Sequence, residues 1–439
     1  MAGGTWTAQN KARPGIYINA AAKQAVSSST GVRGTLTMPL ALSWGAGQTL
    51  FQINAGENVF SLLGYDAESI LLLREALKHA KTVLLYRVNG GGIKASVTAD
   101  GLIATARYAG VRGNDISVAI AADPDEEGKF NVVTYVDGME TDVQEISALE
   151  ELKGNDFVSF SGTGTPAVTA GVSLTGGTDG MAAAADYAAY LAVAAGIDFD
   201  VMAVPTDDGA VKALCAAFAR NMRETEGKKI QMVLPDYAGA NYEGIISVQN
   251  GVVLSDGTII DKVKAVAWVG GAEAGAEAAK SLTYTEYDGA VSVDTVYTNT
   301  EIEDALKAGQ LLFADSYGRV VVEQDINTLV TYGESKSASL SKNRVIRTLD
   351  GFCNELKRAC SLHYIGKIGN DLDGRNTVRA YAIKLASAYQ NAGALQNFDV
   401  QNDISVSAGA SIDEMTLTIA LQPVDSVEKI YATVMVGEE

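Results

Sequence analysis

The chain reads as an α/β and β multidomain protein: a layered α/β domain, a small β-rich domain inserted before it, and strand-forming arms at both ends. Three observations predict this. At 439 residues it is too long for one compact core. Its apolar period switches to two near residue 93, then to alternating helix and strand near 177. The C-terminal end alternates cleanly, with Met415, Leu417, Ile419 and Leu421 on one face and Thr416, Thr418, Ala420 and Gln422 on the other. The pattern resumes after Pro423 at Ile430, Ala432, Val434 and Val436. A strand with no evident place in its own domain exposes unpaired N–H and C=O groups, which either cost stability or recruit a neighbouring chain.

The elements follow in order. A polar arm, MAGGTWTAQN, runs through Pro14-Gly15 into a brief strand, Ile16-Tyr17-Ile18. Residues 66–81 predict a helix, with Asp66 as N-cap and Ile70, Leu73, Leu77 and Ala80 on one face. A strand over 83–88 leads to the Asn89-Gly-Gly-Gly92 break. Ile93, Ala95 and Val97 alternate up to Asp100-Gly101, a hairpin signal, and Leu102, Ala104, Ala106 and Tyr108 alternate away from it. Strands at 116–120 and 130–136, an Asp137-Gly138 turn and a short helix near 146–152 complete the β-rich stretch.

An Ala-rich helix at 182–195 then leads to a strand at 199–204. Asp207 or Asp208 caps a helix carrying Val211, Leu214, Cys215 and Phe218, and a strand follows at 230–234. Asn250-Gly251 marks a turn, and 263–269 is apolar. Thr300 with Glu303 forms a capping box for a helix stopping at Gly309. Tyr317-Gly318 joins a hairpin. Residues 341–364 form a helix with Val345, Leu349, Phe352, Leu356 and Cys360 on one face. A second helix over about 376–391 presents Val378, Tyr381, Leu385 and Ala388. Domains are expected at 1–92, 93–176, 177–335 and 336–439.

Apolar content of 47% and charged content of 20% are those of a folded globular protein. No apolar run reaches the ~18 residues of a membrane span. The N-terminus shows no basic segment followed by an apolar one, so no secretory signal is visible. Cys215, Cys353 and Cys360 read as buried thiols, the last two as core packing on one helix face. The net charge of −19 argues against nucleic acid as a partner. From Lys336 to Lys384, however, ten Lys/Arg meet four acids, a local +6 that leaves −25 for the remainder. That segment is either a solvated, locally paired face or a basic surface aimed at an acidic partner.

Chemistry is hard to find. There is no phosphate loop, and Gly162-Thr-Gly164-Thr-Pro-Ala167 has no helix opening after it to hold a pyrophosphate. His79 and His363 both fall on helices without a nucleophile elbow. The pairs Asp207-Asp208 and Glu126-Glu127 read as a cap and a solvated loop. The expectation is a protein with no enzymatic activity, cofactor or metal.

RPGIYIN (Arg13 to Asn19), YAGVRGNDISV (Tyr108 to Val118), LTGGTDG (Leu174 to Gly180), QDINTL (Gln324 to Leu329) and SKNRVIRTLD (Ser341 to Asp350) occur in this order along the chain. The ordered set resembles the tail sheath proteins of contractile phage tails, especially the subgroup of Gram-positive phages and bacteriocin-like tail particles. The resemblance implies subunits stacked as rings, usually of six, around an inner tube protein, with baseplate and tail terminator proteins at the ends. It implies a tube-facing α+β core domain built from both termini, with the inserted domains further out. It implies terminal strands donated between subunits, here Ile16, Tyr17 and Ile18, and Ile430, Tyr431, Ala432, Thr433, Val434 and Val436.

Within the basic segment, Arg344, Arg347, Lys357 and Arg358 become tube-facing candidates, although Arg344 and Arg347 are also placed to pair with Asp350. The particle, a virion or phage-tail-like body, would assemble in the host cytoplasm without nucleic acid contacts or membrane insertion. A non-contractile polymeric surface or tube protein, and an α/β-domain enzyme, are the alternative readings.

Overall fold

The computed structural model describes residues 2–4, 15–17, 33–334 and 336–436. The chain divides into two compact units, Arg33–Asn354 with the segment from Pro423 onward, and Glu355–Gln422 with the N-terminal segment.

The first unit is built on a seven-stranded sheet in the order Gln310–Leu311, Ile245–Val248, Gln231–Pro235, Val201–Ala203, Thr35–Leu40, Thr82–Arg87, Leu50–Asn54. All neighbours are parallel except Leu50–Asn54, which runs antiparallel along one edge. Parallel strands are covered on both faces and so read as unbroken apolar runs. Gln231–Pro235 and Ile245–Val248 are buried throughout, whereas the edge strand Leu50–Asn54 alternates. One face is covered by Lys262–Gly275, a helix buried from Ala265 to Ala274, with the helix Leu71–Leu77 packed against it. The other is covered by Ala184–Ala195 and Gly209–Glu224.

This arrangement corrects one expected boundary. Residues 33–92 do not stand apart from 177–335; they supply three strands of its sheet, with Thr35–Leu40 next to Val201–Ala203. Period identifies a strand but not its partner, and parallel pairing joins segments distant in sequence. Smaller shifts occur at helix ends. The 66–81 helix is a short turn at Ala67–Ser69 followed by Leu71–Leu77, and Asp66 accepts no cap bond. The capping box falls at Thr298 and Glu301, two residues early. Asp208, not Asp207, caps Gly209–Glu224, and Leu214 is exposed.

The β-rich insertion is a sandwich. A four-stranded sheet (Met139–Ile146, Phe130–Val136, Ile116–Ala122, Thr169–Ser173) packs on a three-stranded one (Val158–Gly162, Leu102–Ala106, Ser96–Ala99) around Leu102, Ala104, Ile116, Val118 and Val132. Asp100-Gly101 and Asp137-Gly138 both carry positive φ at each residue, as two-residue hairpin turns matching strand twist require. The two linkers to the body run antiparallel, bridged at Ile93–Thr178 and Ser96–Thr175. They pack so closely that a Cβ on Gly180 would lie 1.6 Å from the Gly90 carbonyl oxygen, and one on Gly110 1.8 Å from that of Ser43. Asp179 closes the junction, accepting from Ser43 Oγ and from the Val111 N–H, each at 2.9 Å.

In the second unit, Leu372–Asn391 buries Val378, Tyr381, Ala382, Leu385, Ala386 and Tyr389. Asp371 caps it through the Gly374 N–H at 2.8 Å. Met415–Ile419 pairs antiparallel with Ile404–Ala408, so this expected orphan strand has a partner in its own unit. The helix Asn343–Ala359 continues into a wider turn at Cys360–Tyr364. Cys353 on that helix is exposed and Cys360 half-exposed; Phe352 and Ala359 occupy the buried side, so the thiols are not core packing.

The start of the 343–359 helix is fixed to the α/β body by buried charge. Arg347, fully buried, donates from one terminal nitrogen to Glu273 at 2.5 Å and Asp325 at 3.3 Å, and from the other to the Lys280 carbonyl. Asn343 Nδ2 donates to both carboxylates, at 3.1 and 2.8 Å. Burial, then the neighbouring Asp325 charge, pushes Glu273 up to about 8. Asp325, despite its burial, is held below the usual carboxylate value by Arg347, Glu273 and the Leu282 N–H. At neutral pH the cluster is therefore one guanidinium, one carboxylate and one carboxylic acid, which leaves no net buried charge.

The sign of the pH dependence follows. Folded Glu273 holds a proton that the unfolded chain releases near 4.5, so its contribution is complete below that value and is lost as pH rises towards 8. Comparing wild type with Glu273→Gln by thermal unfolding from pH 5 to 8 should show the variant gaining about 1–3 kcal/mol relative to wild type across that interval. A constant difference would show that Glu273 is ionised throughout. Arg347→Met strands Asp325 and should cost about 3–5 kcal/mol by denaturant titration; a loss under ~1 kcal/mol would contradict the pairing.

Candidate assembly site

Beyond Gln422 the chain returns to the first unit, where Glu428 binds it. The Glu428 carboxylate accepts from Thr283 Oγ1 at 2.8 Å, Gln324 Nε2 at 2.5 Å and Lys342 Nζ. Lys342 directly precedes the 343–359 helix, and Arg344, half-buried, lies in the field of Asp425.

Past Glu428 the support ends. Ile430, Tyr431, Val434 and Val436 are 82–93% exposed, and Ala432 and Thr433 are exposed too. No backbone hydrogen bond joins 430–436 to another described residue, and the segment lies in no strand. Ile430, Val434 and Val436 on one face of the alternation, and Tyr431 and Met435 on the other, thus meet solvent on a backbone that makes no hydrogen bond to the backbone of another described residue. In the other arm, Ile16 and Tyr17 fall in Gly15–Tyr17, which pairs parallel with Ala2–Gly4; Ile18 lies outside the described residues.

The four cations meet different fates. Lys357 and Arg358 are exposed in the last turn of the 343–359 helix. Arg347 is interior, held by Glu273 and Asp325, so it presents no charge to a partner. Asp350, the partner expected for Arg344 or Arg347, is bound instead by Arg223 at 2.5 and 2.9 Å. Helical spacing grouped these residues but could not say which face was covered. Glu428 lies just ahead of the 430–436 run, close to Asp425, and nothing local marked its role.

The remaining chemistry is structural. His79 Nε2 lies 2.7 Å from Asp288 Oδ2, which also accepts from Trp268 Nε1 at 3.0 Å, and the two rings meet edge to face. Asp208 Oδ1 accepts from the Ala210 and Val211 N–H groups at the head of its helix. Among the described residues no group of three or more His, Cys, Asp or Glu could hold a metal ion, and no helix is long and apolar enough to cross a membrane.

Comparison with known proteins accounts for nearly all of the chain. The phage tail sheath protein central domain matches residues 180–328 and the phage tail sheath C-terminal domain 335–437. The domain III N-terminal region of tail sheath protein Gp18 matches 33–88, and the phage tail sheath protein beta-sandwich domain 89–179. The phage-like element PBSX protein XkdK of Bacillus subtilis is 39% identical over 469 residues, spanning all of both chains. A sheath tail protein from Desulfitobacterium hafniense is 46% identical, with a TM-score of 0.88 over 96% of this chain and 99% of its own. The anti-feeding prophage helical sheath in its contracted state shares the fold alone, at 12% identity and a TM-score of 0.58 over 97% of this chain and 99% of its own. With its sandwich, its α/β body and its C-terminal domain each matched in order, the chain belongs to the phage tail sheath protein family.

Proposed function

We propose that this chain is a non-enzymatic structural subunit that polymerises as stacked rings around an inner tail tube and contracts to drive the tube through a bacterial envelope. The observation that carries this is the segment 430–436: alternating, apolar, exposed and unpaired, yet starting from a firmly anchored Glu428. Such a segment is an incomplete strand awaiting a sheet edge. The two-stranded sheet of Ile404–Ala408 and Met415–Ile419 offers edges of the right kind on a neighbouring copy, since two strands alone are marginal and gain by a third. Each backbone hydrogen bond adds about 1 kcal/mol net, and repetition over a lattice makes the sum cooperative. Gly15–Tyr17 and the residues after it would serve as the second arm.

A sandwich whose linkers are packed onto the α/β body suits contraction, in which near-rigid subunits reorient while donated arms keep them linked. Lys357 and Arg358 are the remaining tube-facing candidates, with Arg344 secondary because of its burial. Exposed pairs of about 0–1 kcal/mol each suit a sheath that must release the tube.

Two experiments test this. Deleting 430–439 while keeping Glu428 should leave a subunit whose melting temperature is within about 2 °C of wild type but which forms no tubes by electron microscopy; wild-type tubes from the truncated chain would refute strand donation. Lys357→Glu with Arg358→Glu should reduce co-assembly with the inner tube at low ionic strength, and wild-type co-assembly should weaken with added salt. Wild-type yield from the double reversal would remove these residues from the tube contact.

A further inference from the structure

We propose that Tyr317 is an anchor for a second copy of this chain, an aromatic knob at the tip of the hairpin Phe313–Ser316/Arg319–Val322. The contact rests on the polymeric reading above and adds to it an interface separate from the arms.

The first observation is a local rule broken. Eight non-glycine residues among those described have φ in the left-handed region: Gln48, Asp100, Asp137, Asp236, Asn241, Tyr284, Tyr317 and Asn397. Asp and Asn tolerate that region because their short polar side chains bond locally, whereas a bulky residue is a genuine outlier there. The chain's own hairpins show the ordinary solution. Asp100-Gly101 has φ of 46 and 84°, and Asp137-Gly138 has 51 and 73°. Tyr317-Gly318, at 53 and 78°, is the same kind of turn with tyrosine in the place of aspartate. The turn itself does not call for an aromatic.

The second observation is that nothing among the described residues offsets the strain. Tyr317 is fully exposed, and its side chain makes no ring contact or hydrogen bond with a described residue. Asp315 and Arg319 flank it, both exposed. The other outlying tyrosine, Tyr284, stands at the foot of the same hairpin, donating its N–H to the Val322 carbonyl at 2.7 Å, and is half-exposed. Strain of this sort is retained where it serves contact with something else. Tyrosine and arginine are the residues that most often dominate protein interfaces.

A second copy is the occupant because, on the polymeric reading above, other copies of this chain surround each subunit. One subunit's projection seated on a different surface of the next is a heterologous contact, the kind that propagates rings and helices. The structurally similar anti-feeding prophage protein forms a helical sheath, an arrangement in which like copies are the nearest neighbours.

The test uses effects of opposite sign. Tyr317→Asn restores a residue suited to the turn, so the isolated subunit should melt about 1–3 °C higher than wild type. The same variant should need about tenfold more protein to form tubes in the absence of inner tube. Tyr317→Phe, which keeps the aromatic face, should assemble close to wild type. Wild-type assembly by Tyr317→Asn overturns the inference, as does a defect seen only when inner tube is present, since the partner would then not be a second copy. Failure of the wild-type chain to form tubes under any condition would instead overturn the polymeric reading and this contact with it.

Discussion

A few polar side chains at the head of the 343–359 helix hold the molecule's working parts in place. Lys342 binds Glu428, the residue from which the C-terminal arm departs. Asn343 and Arg347 bind Glu273 and Asp325 inside the α/β body. Asp350 takes Arg223 from the helix on the other side of the sheet. Each pair is buried or nearly so, and a buried charge left without its partner is far more costly than an exposed one. The head of the helix is therefore held at several points to the α/β body, and the arm leaves that body from Glu428.

That constraint explains why the basic segment was only half legible. Its excess of cations is real, but Arg347 and Lys342 answer acids supplied by other parts of the chain, Glu273, Asp325 and Glu428, that no local count includes. Local rules served well where the interaction is itself local. Asp100-Gly101 and Asp137-Gly138 form the turns their residues predict. The helix near 376–391 is present as Leu372–Asn391, extended upstream to the Asp371 cap. Pairing at long range was not legible. Thr35–Leu40 sits mid-sheet because of partners at 82–87 and 201–203, and Met415–Ile419 finds Ile404–Ala408. Alternation reports that a strand has two unlike faces and says nothing about which edge it meets.

The Gly-rich motifs at the sandwich junction gain a physical reason. Gly110 and Gly180 are required by backbone approaches closer than any side chain permits, and Asp179 ties the 43–44 loop to the 110–111 turn. The linkers thus behave as packed structure, and the sandwich is carried by the α/β body without a loose tether. The buried charges of Arg223, Arg347, Glu273, Asp325 and Asp350 are paired, while residues 430–436 make no backbone hydrogen bond to another described residue. That contrast is what the proposed function asks of a subunit that completes a strand on its neighbour.

The claim at the centre of this account is that residues 430–436 are unpaired in the free subunit and become a strand in the assembled sheath. Amide hydrogen exchange read by mass spectrometry on both states measures it directly. Free subunit should exchange these amides as fast as an unstructured peptide, and assembled tubes should protect them to the level of the Gln231–Pro235 strand. Fast exchange in both states, or protection already present in the free subunit, would contradict it.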